Sequence, residues 1–263
     1  MLFAPGSDEA KLTKALASEA DAVVADLEDA VTPDRKDEAR ELVSRLRPPV
    51  VRVNGAGTPW FEDDLAAVED LPLEALVLPK ATPEAVAALG PDGPPVIAIV
   101  ETARGLRLAY ETASSPRVAA LLLGAADLGA ELGWEPRPDG LELVYARSKV
   151  VADSAAAAIR GPFDVVHVDT RDDAGLEAAA RFARSLGFRG KACIHPAQIG
   201  IVNQVFQPEA DSVAWAERVL DAAEAGEREG RGAVALDGKM IDAPIVDRAR
   251  RILSDAKGGT HGR

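Results

Sequence analysis

Short apolar runs alternate with longer segments of helical period along most of this 263-residue chain. The runs are Leu2–Ala4, Ala22–Leu27, Val50–Val53, Ala75–Leu78, Val96–Val100, Ala120–Gly124, Val165–Val168 and Ala192–Ile194. They are rich in β-branched residues and lack polar alternation, the pattern of parallel strands buried on both faces. Helix signals fill the gaps. Ser7 is placed to cap a helix running through Lys11 to Glu19. Asp34 to Leu46 and Leu141 to Ile159 carry helical spacing, and Ala174 to Leu186 is closed by Gly187. Eight strand–helix alternations in this length predict a (β/α)8 TIM barrel over residues 1–207. The competing doubly wound open sheet more often has about five or six strands.

The chain continues past the eighth run. A helix over Ser212–Ala225, a charged stretch over Gly226–Gly232 and a helix over Pro244–Leu253 predict a C-terminal helical extension spanning 208–256. Proline suits a first helical turn. Residues 257–263 are expected to form a disordered tail. The longest apolar run, Val118–Ala126, is too short to span a bilayer, and Met1–Lys14 has no signal-peptide core. The formal net charge of -13 argues against a nucleic-acid footprint, while local cations can still hold a small anion. The single cysteine, Cys193, cannot form an internal disulfide and lacks the companions of a zinc site. A cytoplasmic enzyme with neither nucleic-acid nor membrane partners is expected.

Candidate chemistry gathers where the strands end. Glu28, Arg52, Lys80, Glu101, Asp127, Asp169 and His195 each follow or finish a predicted strand. In a barrel these ends share one rim, where such enzymes place their chemistry. Converging carboxylates repel, and a divalent cation relieves them. Glu101 and Asp127, on adjacent strands, are the expected magnesium ligands. They leave positions for a 2-keto or 2-hydroxy carboxylate. The competing reading pairs each with Arg104 or Lys80. Arg52 suits a substrate carboxylate or a developing enolate oxygen, and a salt bridge to Glu28 is its alternative. Lys80 is read as a charge-balancing group, with a Schiff-base nucleophile as the alternative. His195 either ligates metal or hydrogen-bonds within the rim, and His167 is read as a core residue inside the seventh strand. Lys36 and Arg40, with Lys11, Lys14 and Arg35, either bind the phosphates of a cofactor-like substrate or form a solvated helix face.

Eight stretches carry a family resemblance. They are Leu2-Phe-Ala-Pro-Gly6, Asp26-Leu-Glu-Asp-Ala-Val31, Arg52-Val-Asn54, Leu78-Pro-Lys80, Glu101-Thr-Ala-Arg-Gly105, Gly124-Ala-Ala-Asp-Leu128, Cys193-Ile-His-Pro196 and Gly238-Lys-Met-Ile-Asp-Ala-Pro244. In this order the chain resembles the citrate lyase β-subunit-like proteins of the HpcH/HpaI aldolases. The resemblance implies a TIM barrel, magnesium on Glu101 and Asp127, and malyl-CoA or citramalyl-CoA lyase chemistry. It implies that Arg52 contacts substrate and that Asp242 reaches a neighbouring subunit's site, in a homotrimer or dimer of trimers. Glu28 and Lys80 would orient Arg52 and the metal surroundings. Arg52, Ala126, Asp127, Lys36, Arg40 and His195 are the expected contacts to the acyl-CoA and the 2-keto acid. Ala126 departs from the family, whose members often carry an acidic residue there. A CoA-independent 2-keto acid aldolase and a non-autonomous lyase subunit acting on an acyl carrier protein are the alternatives.

Overall fold

The computed structural model describes residues 1–228, 230 and 234–258. Two compact units divide between Asn203 and Gln204.

The first unit is built on eight parallel strands in sequence order: β1 (Leu2–Pro5), β2 (Val23–Asp26), β3 (Val50–Arg52), β4 (Ala75–Leu78), β5 (Val96–Val100), β6 (Val118–Leu123), β7 (Phe163–Asp164) and β8 (Gly190–Lys191). Helices fill the connections, including Lys36–Leu46, Phe61–Val68, Ala125–Leu132, Val144–Ala156 and Asp173–Leu186. The sheet curls until its first strand meets the segment after its last. Leu2 bridges Cys193 in parallel, Phe3 N donates to Cys193 O at 2.9 Å, and Cys193 N donates to Met1 O at 2.8 Å.

One face of the curled sheet forms a shared apolar cluster. Val24, Val50, Val77, Ile97, Ile99, Leu122 and Ala192 are buried there, with Phe3, Phe163 and Val166 packed against them. The intervening residues Ala25, Val51, Leu76, Ala98 and Val100 are buried on the other face. Burial on both faces is why the strands read as continuous apolar runs.

Four expectations need correction, the first being the eighth strand: Gly190 and Lys191 pair as β8, and the run Ala192–Ile194 follows it. Only Phe163 and Asp164 pair as β7, so the run Val165–Val168 lies beyond the strand. That run marks burial of Val165 and Val166, not ladder pairing. His167 is therefore not a core strand residue; it is half-buried, with Nε2 3.2 Å from Asp172 Oδ2. The first helix, Glu9–Leu16, is capped by Asp8, whose carboxylate accepts Lys11 N at 3.0 Å. Ser7 is buried, and its carbonyl accepts Arg35 Nη2 at 2.6 Å.

The second unit holds the helices Ala210–Arg228 and Ala243–Gly258 and a hairpin of β9 (Val234–Leu236) and β10 (Lys239–Ile241). Asp237 and Gly238 both take positive φ, 51° and 74°, as an Asp-Gly hairpin turn requires. Ala216, Val219, Ile241 and Ala249 form its core. Lys257 and Gly258 belong to the last helix, and 259–263 of the expected tail lie outside the described residues. No helix among the described residues is long and apolar enough to cross a membrane.

Candidate active site

The site begins with strand register. Asp26 ends β2 directly opposite Arg52, the end of β3. Arg52 donates from Nε to Asp26 Oδ1 at 2.7 Å and from Nη2 to Oδ2 at 2.6 Å. The same carboxylate accepts Glu28 N at 2.9 Å and Ala30 N at 3.1 Å, which folds the chain back after β2. Asp26 is thus fully occupied. It leaves Nη1 of Arg52 as the guanidinium nitrogen turned to other groups. Nη1 lies 2.8 Å from Glu28 Oε2 and 3.4 Å from Asp29 Oδ2, while Phe3 of β1 lies under the guanidinium. The Glu28 contact is a charge contact without a hydrogen-bonding angle, so Glu28 Oε2 is a buried oxygen with no hydrogen-bond donor.

Lys80 follows β4 through Pro79 with φ of 49°, in the left-handed region that a side chain of this size rarely enters. This turn aims two donors at once. Its backbone N donates to Glu101 Oε1 at 2.8 Å. Its Nζ lies 2.9 Å from Glu28 Oε1, 3.0 Å from Asp127 Oδ2 and 3.8 Å from Glu101 Oε1. Glu101 follows β5, and Asp127 sits in the first turn of the helix Ala125–Leu132 after β6. Gly124 makes room between them. A Cβ at that position would stand 2.6 Å from Glu101 Cβ and 2.7 Å from its Oε2.

Electrostatics follow from burial. Glu101 is pushed up to about 7, first by burial and then by the Glu28 charge. Glu28 is also raised, mainly by burial. Burial opposes the charge on Lys80, but hydrogen bonds to Glu28 and Asp127 outweigh it and raise the pKa. The carboxylates around Nζ favour its charged form, in keeping with the charge-balancing reading rather than the Schiff-base one. Arg52 is likewise raised, its burial outweighed by Asp26. Arg104 pairs with Glu84 at 3.0 Å on the surface, and Lys80 is the cation that reaches all three of Glu28, Glu101 and Asp127.

The cluster fits a hard divalent cation. Three carboxylates bring oxygens to within 4 Å of one nitrogen position, and a tethered ammonium stands there as a monovalent substitute. Among the described residues no three His, Cys, Asp or Glu side chains form a ready-made metal cage. Magnesium does not need one, because it commonly takes one or two carboxylates and completes its shell with water and ligand oxygens.

Other expected site residues fall elsewhere. Lys36 and Arg40 are buried, neither phosphate ligands nor a solvated face. All three Lys36 ammonium protons are used, on Leu27 O, Glu28 O and Asn54 Oδ1. Arg40 donates to Asp64, Asp37 and Trp60 O. Asp169 is exposed and accepts Arg171 N in a local turn, while Asp164, which ends β7, is fully buried between Arg147 and Lys191. His195 and Ala126 are exposed. The loop carrying His195 is tied by Gln198, which accepts Ile194 N and His195 N and donates to His167 O. In the second unit Asp242 is exposed, and its carboxylate accepts Ile245 N at 3.3 Å. Sequence reasoning missed Asp26, Asn54 and Gln198. Asp26 carried a signal, as the first of three carboxylates within Asp26-Leu-Glu-Asp29.

A curled eight-stranded parallel sheet whose carboxylates after β2, β5 and β6 converge on one cation, Lys80 after β4, defines a class of α/β enzyme with its charged groups gathered on one rim. The chain belongs to the HpcH/HpaI aldolase/citrate lyase family, whose model matches residues 1–90 and 91–196. It is 39% identical to the (3S)-malyl-CoA thioesterase of Cereibacter sphaeroides, covering 98% of this chain and 94% of that protein. It is 36% identical to the citrate lyase subunit beta of Escherichia coli, covering 98% and 92%. Among solved structures, CitE of Mycobacterium tuberculosis in complex with magnesium, acetoacetate and coenzyme A aligns with a TM-score of 0.84 at 36% identity, covering 97% of each chain. The citrate lyase beta subunit of that organism, complexed with oxaloacetate and magnesium, aligns with a TM-score of 0.72 at 36% identity, covering 79% of this chain and 96% of that one.

Proposed function

We propose that this chain is a (β/α)8-barrel, magnesium-dependent carbon–carbon lyase. Its substrate would be an acyl-CoA with a hydroxyl and a carboxylate on C3, of the malyl-CoA or citramalyl-CoA type. The observation that carries this reading is the convergence of Glu28, Glu101 and Asp127 on a single cation position beside the Arg52 guanidinium. The magnesium- and CoA-bound relative supports it.

Magnesium held by Glu101 and Asp127 would supply Lewis-acid activation of the substrate hydroxyl and of the carbonyl that forms there. The protein's own groups do the rest. The hydroxyl gives its proton to solvent water, the O–H electron pair becomes the new carbonyl bond, and the electron pair of the breaking carbon–carbon bond passes into the enolate. The products are a 2-keto acid and the enolate of acetyl-CoA. Arg52 Nη1, the guanidinium nitrogen not held by Asp26, stabilises the enolate oxygen. Asp242 of a neighbouring subunit delivers the proton to the enolate carbon. Glu28 and Lys80 orient Arg52 and balance the carboxylates. Ala126 and His195 line the approach of the acyl-CoA. The reading places a homotrimer or dimer of trimers in the cytoplasm.

The test is incubation of the purified protein with magnesium, acetyl-CoA and either glyoxylate or pyruvate, read by mass spectrometry. The condensed acyl-CoA is expected with wild type and not with Asp127→Ala, whose circular dichroism should be unchanged. Free CoA without carbon–carbon chemistry would assign hydrolysis instead. Product formed equally in excess chelator would overturn the reading.

A further inference from the structure

Burying an ammonium without a carboxylate partner is costly, and stability alone is a poor reason to do it. Lys36 is such a group. It is 4% exposed, and among the described residues no carboxylate lies within ion-pair distance of its Nζ. Its three acceptors are neutral: Leu27 O at 2.6 Å, Glu28 O at 2.8 Å and Asn54 Oδ1 at 2.8 Å. The Trp60 ring covers it at 5.0 Å.

The placement of those acceptors is informative. Two are backbone carbonyls of the loop that carries Glu28 between β2 and the helix Lys36–Leu46. The third belongs to the residue two beyond Arg52. Asn54 is itself fixed: its backbone N and its Nδ2 both donate to Asp64 Oδ2, at 2.8 and 2.6 Å, and Nδ2 also donates to Leu27 O. Asp64 is fully buried and is held from its other oxygen by Arg40. One ammonium therefore ties the Glu28 loop to the Arg52 strand end through a closed hydrogen-bond network. Glu28 has an unusual need for such a tie. Its Oε1 accepts Lys80 Nζ at 2.9 Å and its Oε2 stands 2.8 Å from Arg52 Nη1 without a hydrogen-bonding angle, so both contacts depend on where the loop backbone places the side chain.

We infer that Lys36 is a positioning residue for the active centre, holding the 27–28 backbone so that the Glu28 carboxylate stands between Arg52 Nη1 and Lys80 Nζ. The inference deepens the lyase reading and rests on it for its kinetic consequence, while its structural consequence stands apart.

The test uses Lys36→Met, similar in length and without charge, in the full chain. Its crystal structure is expected to show the 27–28 peptide turned and Glu28 displaced from Lys80 Nζ. Glu28 still within 3.5 Å of both Lys80 Nζ and Arg52 Nη1 would overturn the inference, whether or not the protein proves to be a lyase. If wild type is active, the variant is expected to lose at least tenfold in kcat, with KM and magnesium affinity each moved less than threefold. Wild-type kcat in the variant would likewise overturn it. An inactive wild type would instead count against the lyase reading, leaving the crystallographic outcome to decide on Lys36. Should Lys36→Met fail to fold, Asn54→Ala cuts the same tie and is read by the same crystallographic criterion.

Discussion

Asp26 holds Arg52 by both carboxylate oxygens, with Nε–Oδ1 of 2.7 Å and Nη2–Oδ2 of 2.6 Å, across directly registered strand ends. The pair is nearly dry, at 2% and 12% side-chain exposure. Removing Asp26 leaves Nε and Nη2 of a buried guanidinium without acceptors, its remaining carboxylate contacts all falling on Nη1. Asp26→Ala is therefore expected to lose about 3–5 kcal/mol in urea denaturation. Asp26→Asn keeps the shape but loosens the fork, and a misaimed guanidinium should slow turnover by roughly 10²-fold. Unchanged turnover in Asp26→Asn would show that Arg52 needs no such aim.

Glu101 gives a pH signature. Its pKa is about 7 in the folded chain against an ordinary 4.5. Stability contributed by the protonated form is fully present below about 4.5 and is lost as pH rises through 7. The metal-free protein is expected to melt lower at pH 8 than at pH 5, and Glu101→Gln should flatten that dependence. Magnesium competes with the same proton, so its affinity should rise across this window, with proton release measurable by calorimetry in buffers of different ionisation enthalpy. Equal affinity at pH 5.5 and 8 would count against Glu101 as a ligand.

Gly124 is a steric test of the same centre. A Cβ there would press 2.6 Å from Glu101 Cβ and 2.7 Å from Oε2, closer than atoms tolerate. Gly124→Ala is expected to displace Glu101 and abolish the magnesium-dependent rise in Tm, leaving the circular dichroism spectrum unchanged. A normal metal response would mean that Glu101 does not hold the ion.

Asp242 is exposed and half-engaged as a helix cap at 3.3 Å from Ile245 N, a contact that asparagine can keep. Asp242→Asn is thus expected to bind acyl-CoA normally in calorimetry. It should fail to exchange the methyl protons of acetyl-CoA with deuterium in NMR. Unimpaired exchange would remove Asp242 from the proton transfer.

The sequence carried much of this arrangement because burial and chemistry leave different marks. β1 to β6 were legible as apolar runs, and Glu28, Arg52, Lys80, Glu101 and Asp127 stood out as ionisable residues at their ends. β7 and β8 were misplaced because each has only two paired residues, and Val165 after Asp164 is buried without pairing. Lys36 and Arg40 read as phosphate-binding groups or a wetted helix face because composition cannot show that Leu27 O, Asn54 and Asp64 wait to receive them. The left-handed turn at Lys80 left no mark either, since a glycine or asparagine would have been its usual signal.

The bridge between Leu2 and Cys193 has a consequence for biogenesis. β1 leaves the ribosome first, yet one of its two neighbours is made some 190 residues later, the separation of the Met1–Lys191 contact. Until then the nascent sheet carries an open edge, and closing so long a loop is slow. A chain truncated before Cys193 would keep that edge permanently and be prone to aggregation.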